Sequence, residues 1–215
     1  MSQQTFTFVQ EVTAHVTLNY LLHLPSSINN GAMHPMIVYL HGSGKRGDDP
    51  NLIKTNGLPK ILEDQPDFPF VVLSPQCPTN RHWVFLAVEF FALVEDILNR
   101  YPIDSLRVYL TGLSMGGTGT WHFAAHDQGY FAAIAPLCGD GYRRLAERLT
   151  HTPIWAFHGE LDDVVPVERA KTLVETVNQL GGEARLTTYP NLKHEIDGVT
   201  YANPDLYTWF LPKGP

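Results

Sequence analysis

Arg107-Val108-Tyr109-Leu110-Thr111-Gly112-Leu113-Ser114-Met115-Gly116-Gly117-Thr118-Gly119 is the stretch that decides the fold. Its first part is a short apolar run ending in turn residues, the pattern of a strand covered on both faces. Its last residues open a helical pattern over Met115–His126. Between them, Gly112-Leu113-Ser114-Met115-Gly116 matches G-x-S-x-G, and a serine on so sharp a strand-to-helix turn takes strained backbone geometry. Glycines two before and two after it let neighbouring chain pass without a Cβ clash. Such a turn lifts the Ser114 hydroxyl to the positive end of a helix, where developing negative charge is favoured. A glycine-rich turn whose serine merely caps the helix would share the same five residues. The strand before and the helix after favour a nucleophile.

Outward from this turn the alternation continues. Residues 36–40, 70–73, 131–137 and 154–157 are further apolar runs of strand length, and residues 184–189 alternate polar and apolar. Helical patterns occupy residues 84–100, 142–149 and 167–180, with a closing helix over 205–211. At the start, residues 5–12 and 15–24 alternate over a short connection and read as an antiparallel pair. Strands separated by helices predict right-handed crossovers and an α/β fold with a mostly parallel, doubly wound sheet. No repeat or linker interrupts the pattern, so residues 1–215 read as one domain.

Composition narrows the partners. Hydrophobic residues make up 44% and charged residues 17% of the 215, enough to build a core and too ordinary for a disordered, collagen-like or coiled-coil chain. Lys and Arg number 15 against 22 Asp and Glu, a net charge of −7 that phosphate backbones repel. The densest basic stretches, Lys45-Arg46 and Arg143-Arg144, are each followed by acidic residues, so neither nucleic acid nor an anionic membrane surface is an expected partner. Residues 1–5 carry neither the basic nor the apolar segment of a secretory leader, and no apolar run approaches the ~18 residues of a membrane span. Two cysteines, Cys77 and Cys138, make no disulfide framework. These features predict a cytoplasmic protein without stable membrane insertion. They leave its oligomeric state open.

A serine nucleophile needs donors for its oxyanion, a base and an acid. The run 36–40 leads into His41-Gly42-Ser43-Gly44, a glycine-rich loop able to turn a backbone N–H toward the nucleophile. The amides of Ser43 and Met115 would then form the oxyanion hole. Ten histidines compete for the base. His41 and His158 sit beside glycine at strand ends and read as loop supports. His122 and His126 lie four apart on one helix, but the metal pattern H-E-x-x-H needs Glu where Phe123 stands, so no metal site is expected there. His194 is the last histidine, in a polar loop after the last strand, where the order Ser…Asp…His places the base. The acid should follow the preceding strand, and His158-Gly159-Glu160-Leu161-Asp162-Asp163 offers two aspartates there; Asp140, one strand earlier, is a third choice.

With these elements in order the sequence resembles the α/β-hydrolase superfamily, and within it the small carboxylesterase/phospholipase-type and "predicted peptidase"-type serine esterases. The marks are residues 40–47, Ser74-Pro75-Gln76-Cys77-Pro78, the elbow around Ser114, and His158-Gly159 with Val164-Val165-Pro166. The family segment H-G-x-x-D-x-x-V-P carries its catalytic acid at the fifth place, which is Asp162 here. The family base follows a Y-x-x-x-x-H-like segment, which Tyr189 to His194 fits. Relatives often place a small or polar residue and an aromatic after that histidine, whereas here Glu195-Ile196-Asp197 follow. A dienelactone-type enzyme would carry cysteine at the elbow and a dehalogenase aspartate, so Ser114 argues against both.

The resemblance implies a serine carboxylesterase acting on a small-molecule ester through an acyl-enzyme on Ser114, with no metal or organic cofactor. A thioesterase or lysophospholipase would use the same triad, and a non-catalytic binding module would lack part of it. Trp83, together with Met115, is a candidate for lining an apolar acyl pocket, and packing in the core as an ordinary aromatic is the equal alternative for Trp83. Larger relatives insert a lid between the strands at 131–137 and 154–157. Residues 138–153 can hold one short helix, which predicts no lid and an open, shallow site suited to short acyl groups.

Overall fold

In strand β2 (His34–Leu40) Met36, Val38 and Leu40 enter one core cluster while Ile37 and Tyr39 enter another. That alternation places β2 inside a sheet covered on both faces, which is why its sequence is apolar throughout. The computed structural model describes residues 5, 7 and 15–211. Its other strands are β1 (Tyr20–His23), β3 (Val71–Pro75), β4 (Ile103–Leu113), β5 (Ala133–Leu137), β6 (Ile154–Gly159) and β7 (Ala184–Tyr189). They form one sheet in the order β1-β3-β2-β4-β5-β6-β7. Only β1, on β3, is antiparallel.

Helices α2 (Ala87–Arg100), α3 (Met115–His126) and α4 (Val167–Gln179) cover one face. Phe90, Val94 and Ile97 form the buried stripe of α2, and Phe90 stacks on Phe123 of α3 with ring centres 4.0 Å apart. Short helices α1 (Gly57–Leu62), α5 (Asp197–Tyr201) and α6 (Pro204–Phe210) cover the other face, where Phe210 stacks on Tyr109 of β4.

This is the mostly parallel α/β sheet expected from the alternation, with differences at the edges. The antiparallel pair among the described residues is β1 with β3, Tyr20 facing Pro75 and His23 facing Val72, where the expected pair was residues 5–12 with 15–24. Residues 5–12 lie almost wholly outside the described residues. The helix expected at 142–149 is a turn of 3-10 helix over Arg143–Arg148, and the start of the helix expected at 84–100 splits off as a 3-10 turn at Trp83–Phe85. Helices α1 and α5 were not anticipated: α1 has six residues, including Gly57 and Pro59, too few for a helical period to show. No helix among the described residues is long and apolar enough to cross a membrane.

The chain leaves β2 toward β3 on one side and β4 toward β5 on the other, so a crevice opens where these two strands part. Loops at the C-terminal ends of strands around such a switch point are where α/β sheets bind ligands. The connection from β5 to β6 carries only the 3-10 turn at Arg143–Arg148 and no lid.

Candidate active site

Ser114 stands between β4 and α3 with φ 59° and ψ −117°. A non-glycine residue so placed costs of order 1–3 kcal/mol and persists only where its surroundings hold it. They do: its amide donates to the Leu137 carbonyl at 2.8 Å, and its own carbonyl accepts from Thr118 at 2.9 Å. The end of β2 presses against this turn. A Cβ on Gly112 would come within 2.5 Å of the Leu40 carbonyl oxygen, and one on Gly116 would collide with the same oxygen. The glycines of G-x-S-x-G are therefore required by close backbone approach, as the motif implies.

His194 follows β7 and is turned toward the loop after β6. Its Nδ1 lies 2.7 Å from Asp162 Oδ2, and the Asp162 side chain is fully buried. The other carboxylate oxygen accepts from the amides of Val164 and Val165, both at 2.9 Å. Burial alone would raise this carboxyl. The His194 contact and the two amides outweigh it and hold Asp162 below the usual carboxylate range. With Nδ1–H donated to Asp162, His194 presents a lone pair at Nε2. Gly159 lets the two loops meet, since a Cβ there would strike the Lys193 carbonyl. Asp163 is solvent-exposed and paired with Lys193 at 2.7 Å, and Asp140 lies 4.0 Å from Arg169; neither approaches His194 by a hydrogen bond.

Ser114 and His194 line one cleft of about 330 Å³ together with Ser43, Lys45, Asn56 and Val164. No hydrogen bond joins the Ser114 hydroxyl to His194 among the described residues, a contact that in enzymes commonly tightens only in the substrate complex. Ser43 and Met115 are the first residues of their helical turns, where backbone N–H groups are left without partners inside the helix. The position of a Cβ on Gly42 lies 3.7 Å from Ser114 Cβ, so the glycine-rich loop and the elbow are neighbours.

That loop is braced from beneath. His41 Nδ1 donates to the Gly42 carbonyl at 2.7 Å, and its Nε2 accepts from the Cys77 amide at 3.0 Å. Burial lowers the pKa of His41 to about 4, against the Gly42 hydrogen bond, so the ring stays neutral. The Gln76 amide donates to the carbonyls of Lys45 and Asp49. Trp83 belongs to this brace and not to the pocket wall: it is fully buried, and its indole N–H donates to the His41 carbonyl at 3.0 Å. Of the two readings of Trp83, acyl-site lining and core aromatic, the full burial of the ring and its place outside the cleft fit the second. Met115 is likewise buried beneath the elbow, outside the cleft. Asn56 was missed. It donates to Asp197 Oδ2 at 3.0 Å across 141 residues of sequence, a pairing that no local pattern announces.

The pattern of the Dienelactone hydrolase family matches residues 84–196, more than half of the chain. The chain belongs to this family. The match runs through Ser114, Asp162 and His194. Ser114 argued against a dienelactone-type enzyme, yet the family match spans that serine. The bifunctional acetylxylan esterase/xylanase XynS20E of Neocallimastix patriciarum is 28% identical over 197 residues, covering 87% of this chain and 28% of that protein. A solved thermostable esterase superposes with a TM-score of 0.77 at 32% identity, over 90% of this chain and 58% of that one. The structure of esterase PE8 gives a TM-score of 0.71 at 24% identity, over 91% of this chain and all of that one, and shares the fold. The chain therefore spans about a quarter of the first relative and somewhat over half of the first structure.

Proposed function

We propose that this member of the dienelactone hydrolase family is a serine carboxylesterase that cleaves short-chain esters through an acyl-enzyme on Ser114. The observation that carries the reading is a strained Ser114 opening into one cleft with His194, whose Nδ1 lies 2.7 Å from the buried Asp162. His194 Nε2 takes the Ser114 proton as Oγ attacks the ester carbonyl, and Asp162 stabilises the imidazolium that forms. The amides of Ser43 and Met115 hold the oxyanion, each such donor being worth about 2.7–4 kcal/mol in the transition state. His194 then protonates the leaving alcohol, and water repeats the sequence to release the acid. A cleft of about 330 Å³ without a lid suits a small acyl group and leaves the alcohol side open to solvent.

A p-nitrophenyl ester series from C2 to C16 tests this reading, with labelling by a fluorophosphonate probe. Turnover should be highest at the short end and labelling confined to Ser114, and Ser114→Ala should lose both while remaining folded. Near-wild-type turnover by Ser114→Ala would sink the mechanism. A preference for long acyl chains or thioesters would instead move the substrate toward a lysophospholipase or thioesterase type.

A further inference from the structure

Behind Asp162 lies a second imidazole that takes no part in the proton transfers. His158, near the end of β6, is fully buried. Its Nε2 lies 2.8 Å from the Val165 carbonyl oxygen and 3.2 Å from Asp162 Oδ2. Two oxygens facing one nitrogen, one of them on a carboxylate, are favourable only if that nitrogen carries the proton. The tautomer is therefore Nε2–H, and the lone pair is left at Nδ1. Nδ1 is buried and finds no donor among the described residues. An orphaned buried acceptor is unfavourable, and it is the counterpart of an N–H kept at Nε2.

The groups facing this ring are few. Asp162 lies beside Nε2, His194 is on the far side of that carboxylate, and Cys138 after β5 places its sulfur within 4.8 Å of both the ring and the carboxylate. Burial pushes the Cys138 thiol far up, so it stays an S–H and not a second anion. Burial also lowers the pKa of His158, outweighing the attraction of Val165 and Asp162, so the ring stays neutral.

We propose that His158 is a positioning residue for Asp162, its Nε2–H fixing the carboxylate on His194 from behind. It acts along two routes. One is direct and electrostatic, since Nε2, whose N–H is donated to the Val165 carbonyl, stands 3.2 Å from the oxygen that His194 also uses. The other runs through Val165, whose carbonyl His158 holds while its amide holds Asp162 Oδ1. A carboxylate with no exposed side-chain surface needs a favourable partner at each oxygen, because an unpaired buried charge is strongly unfavourable. Without His158 the carboxylate would keep the weak Cys138 thiol and His194, which becomes charged and neutral in every catalytic cycle. His158 is the partner that does not change. This inference rests on reading Asp162 and His194 as the acid and base of the proposed esterase.

The test compares His158→Leu with His158→Gln in the full chain, Gln placing an amide N–H near the position of Nε2. Steady-state kinetics on p-nitrophenyl acetate are combined with NMR of ¹⁵N-histidine-labelled protein, which reads the tautomer and the His194 Nδ1–H resonance without needing activity. His158→Leu should lower kcat on the order of tenfold with KM nearly unchanged, well short of the ~10⁴-fold loss when a triad aspartate is disabled. It should also shift or broaden the His194 Nδ1–H signal, and His158→Gln should restore most of both. Equal kcat in the folded Leu variant and the wild type would overturn the proposal, as would a Gln variant no better than Leu. If the Leu variant does not fold, the wild-type spectrum decides, and a His158 proton on Nδ1 sinks the idea. Loss of the esterase reading itself would appear separately, as wild-type protein that neither turns over esters nor labels at Ser114.

Discussion

The two walls of the cleft are held by different means. On the Ser114 side, backbone packs on backbone: the Leu40 carbonyl fills the space where Gly112 and Gly116 have no side chain, and the loop after β2 rests on His41, Gln76 and Trp83. On the His194 side, side chains hold side chains: one carboxylate gathers an imidazole, two amides and a second imidazole nearby. The first wall can accept almost no extra atom, and the second can accept almost no lost donor or charge. Volume-changing and polarity-changing substitutions should therefore separate them.

The largest effect belongs to the polar wall. Asp162→Asn keeps the volume and removes the charge, so the activity expected of an esterase should fall by ~10⁴ with little change in thermal stability. Asp163→Asn and Asp140→Asn should each stay within about threefold of wild type, because both side chains are substantially exposed, 62% and 44%, and such ion pairs are weak. A large loss confined to Asp163→Asn would transfer the acid to the neighbouring residue and break the comparison.

Next comes the packed wall. Gly116→Ala adds one methyl where the Leu40 carbonyl already sits, and neither backbone can yield cheaply. Overpacking of this sort costs typically 1–3 kcal/mol and occasionally more, and a backbone partner puts this site at the upper end. At roughly 2–4 °C per kcal/mol for a chain of this size, the midpoint of thermal unfolding should drop on the order of 10 °C. A Gly116→Ala protein as stable as wild type would show that the elbow has slack.

How much of this was legible in the sequence follows the same division. The elbow announced itself, because close backbone approach selects glycine at fixed offsets and the strand and helix run directly into it. The alternation of apolar runs and helical patterns carried most of the sheet, since β2, β3, β5, β6 and the second half of β4 are covered on both faces and are largely apolar. Asp162 over Asp163 needed the family resemblance, because adjacent aspartates look alike until the chain folds one inward onto His194 and the other out to Lys193. Asn56 with Asp197 was invisible, as was the placement of Trp83 under His41: both depend on contacts between loops far apart in sequence. The pairing of β1 with β3 was out of reach for the same reason, since alternation reveals a half-buried strand but not every neighbour it joins.

Acid should weaken both walls. His41 has a folded pKa of about 4 against about 6.5 for free imidazole, so between those values the unfolded chain binds the extra proton and stability falls as pH falls. The contribution lost by pH 4 is about 3 kcal/mol. The lowered pKa of His158 acts in the same direction below about 6.5. The lowered pKa of Asp162 makes its contribution present above the unfolded value and lost only as pH falls below about 3.8. Denaturant unfolding at pH 7, 5.5 and 4.5 should show a continuous decline, and NMR should find the His41 ring still neutral at pH 5. A His41 that titrates near 6.5 would mean that the loop after β2 is not braced by a buried neutral ring.

The smallest effect distinguishes a brace from a pocket wall at Trp83. Trp83→Phe keeps an aromatic in the core and removes the indole N–H that holds the His41 carbonyl. Losing one neutral hydrogen bond is worth about 1 kcal/mol, and the carbonyl left behind is buried, so the loop before Ser43 should loosen slightly. If that loop supplies the proposed oxyanion donor, loosening it lowers kcat by several-fold for every acyl length alike and leaves KM nearly constant. A pocket wall would behave otherwise, changing KM in a way that depends on acyl length, most for chains long enough to touch the missing ring. The kcat and KM of Trp83→Phe across the C2 to C16 ester series therefore decide between the two. A KM effect that grows with chain length would return Trp83 to the acyl site, and would mean that the substrate reaches beneath the loop that now covers the ring.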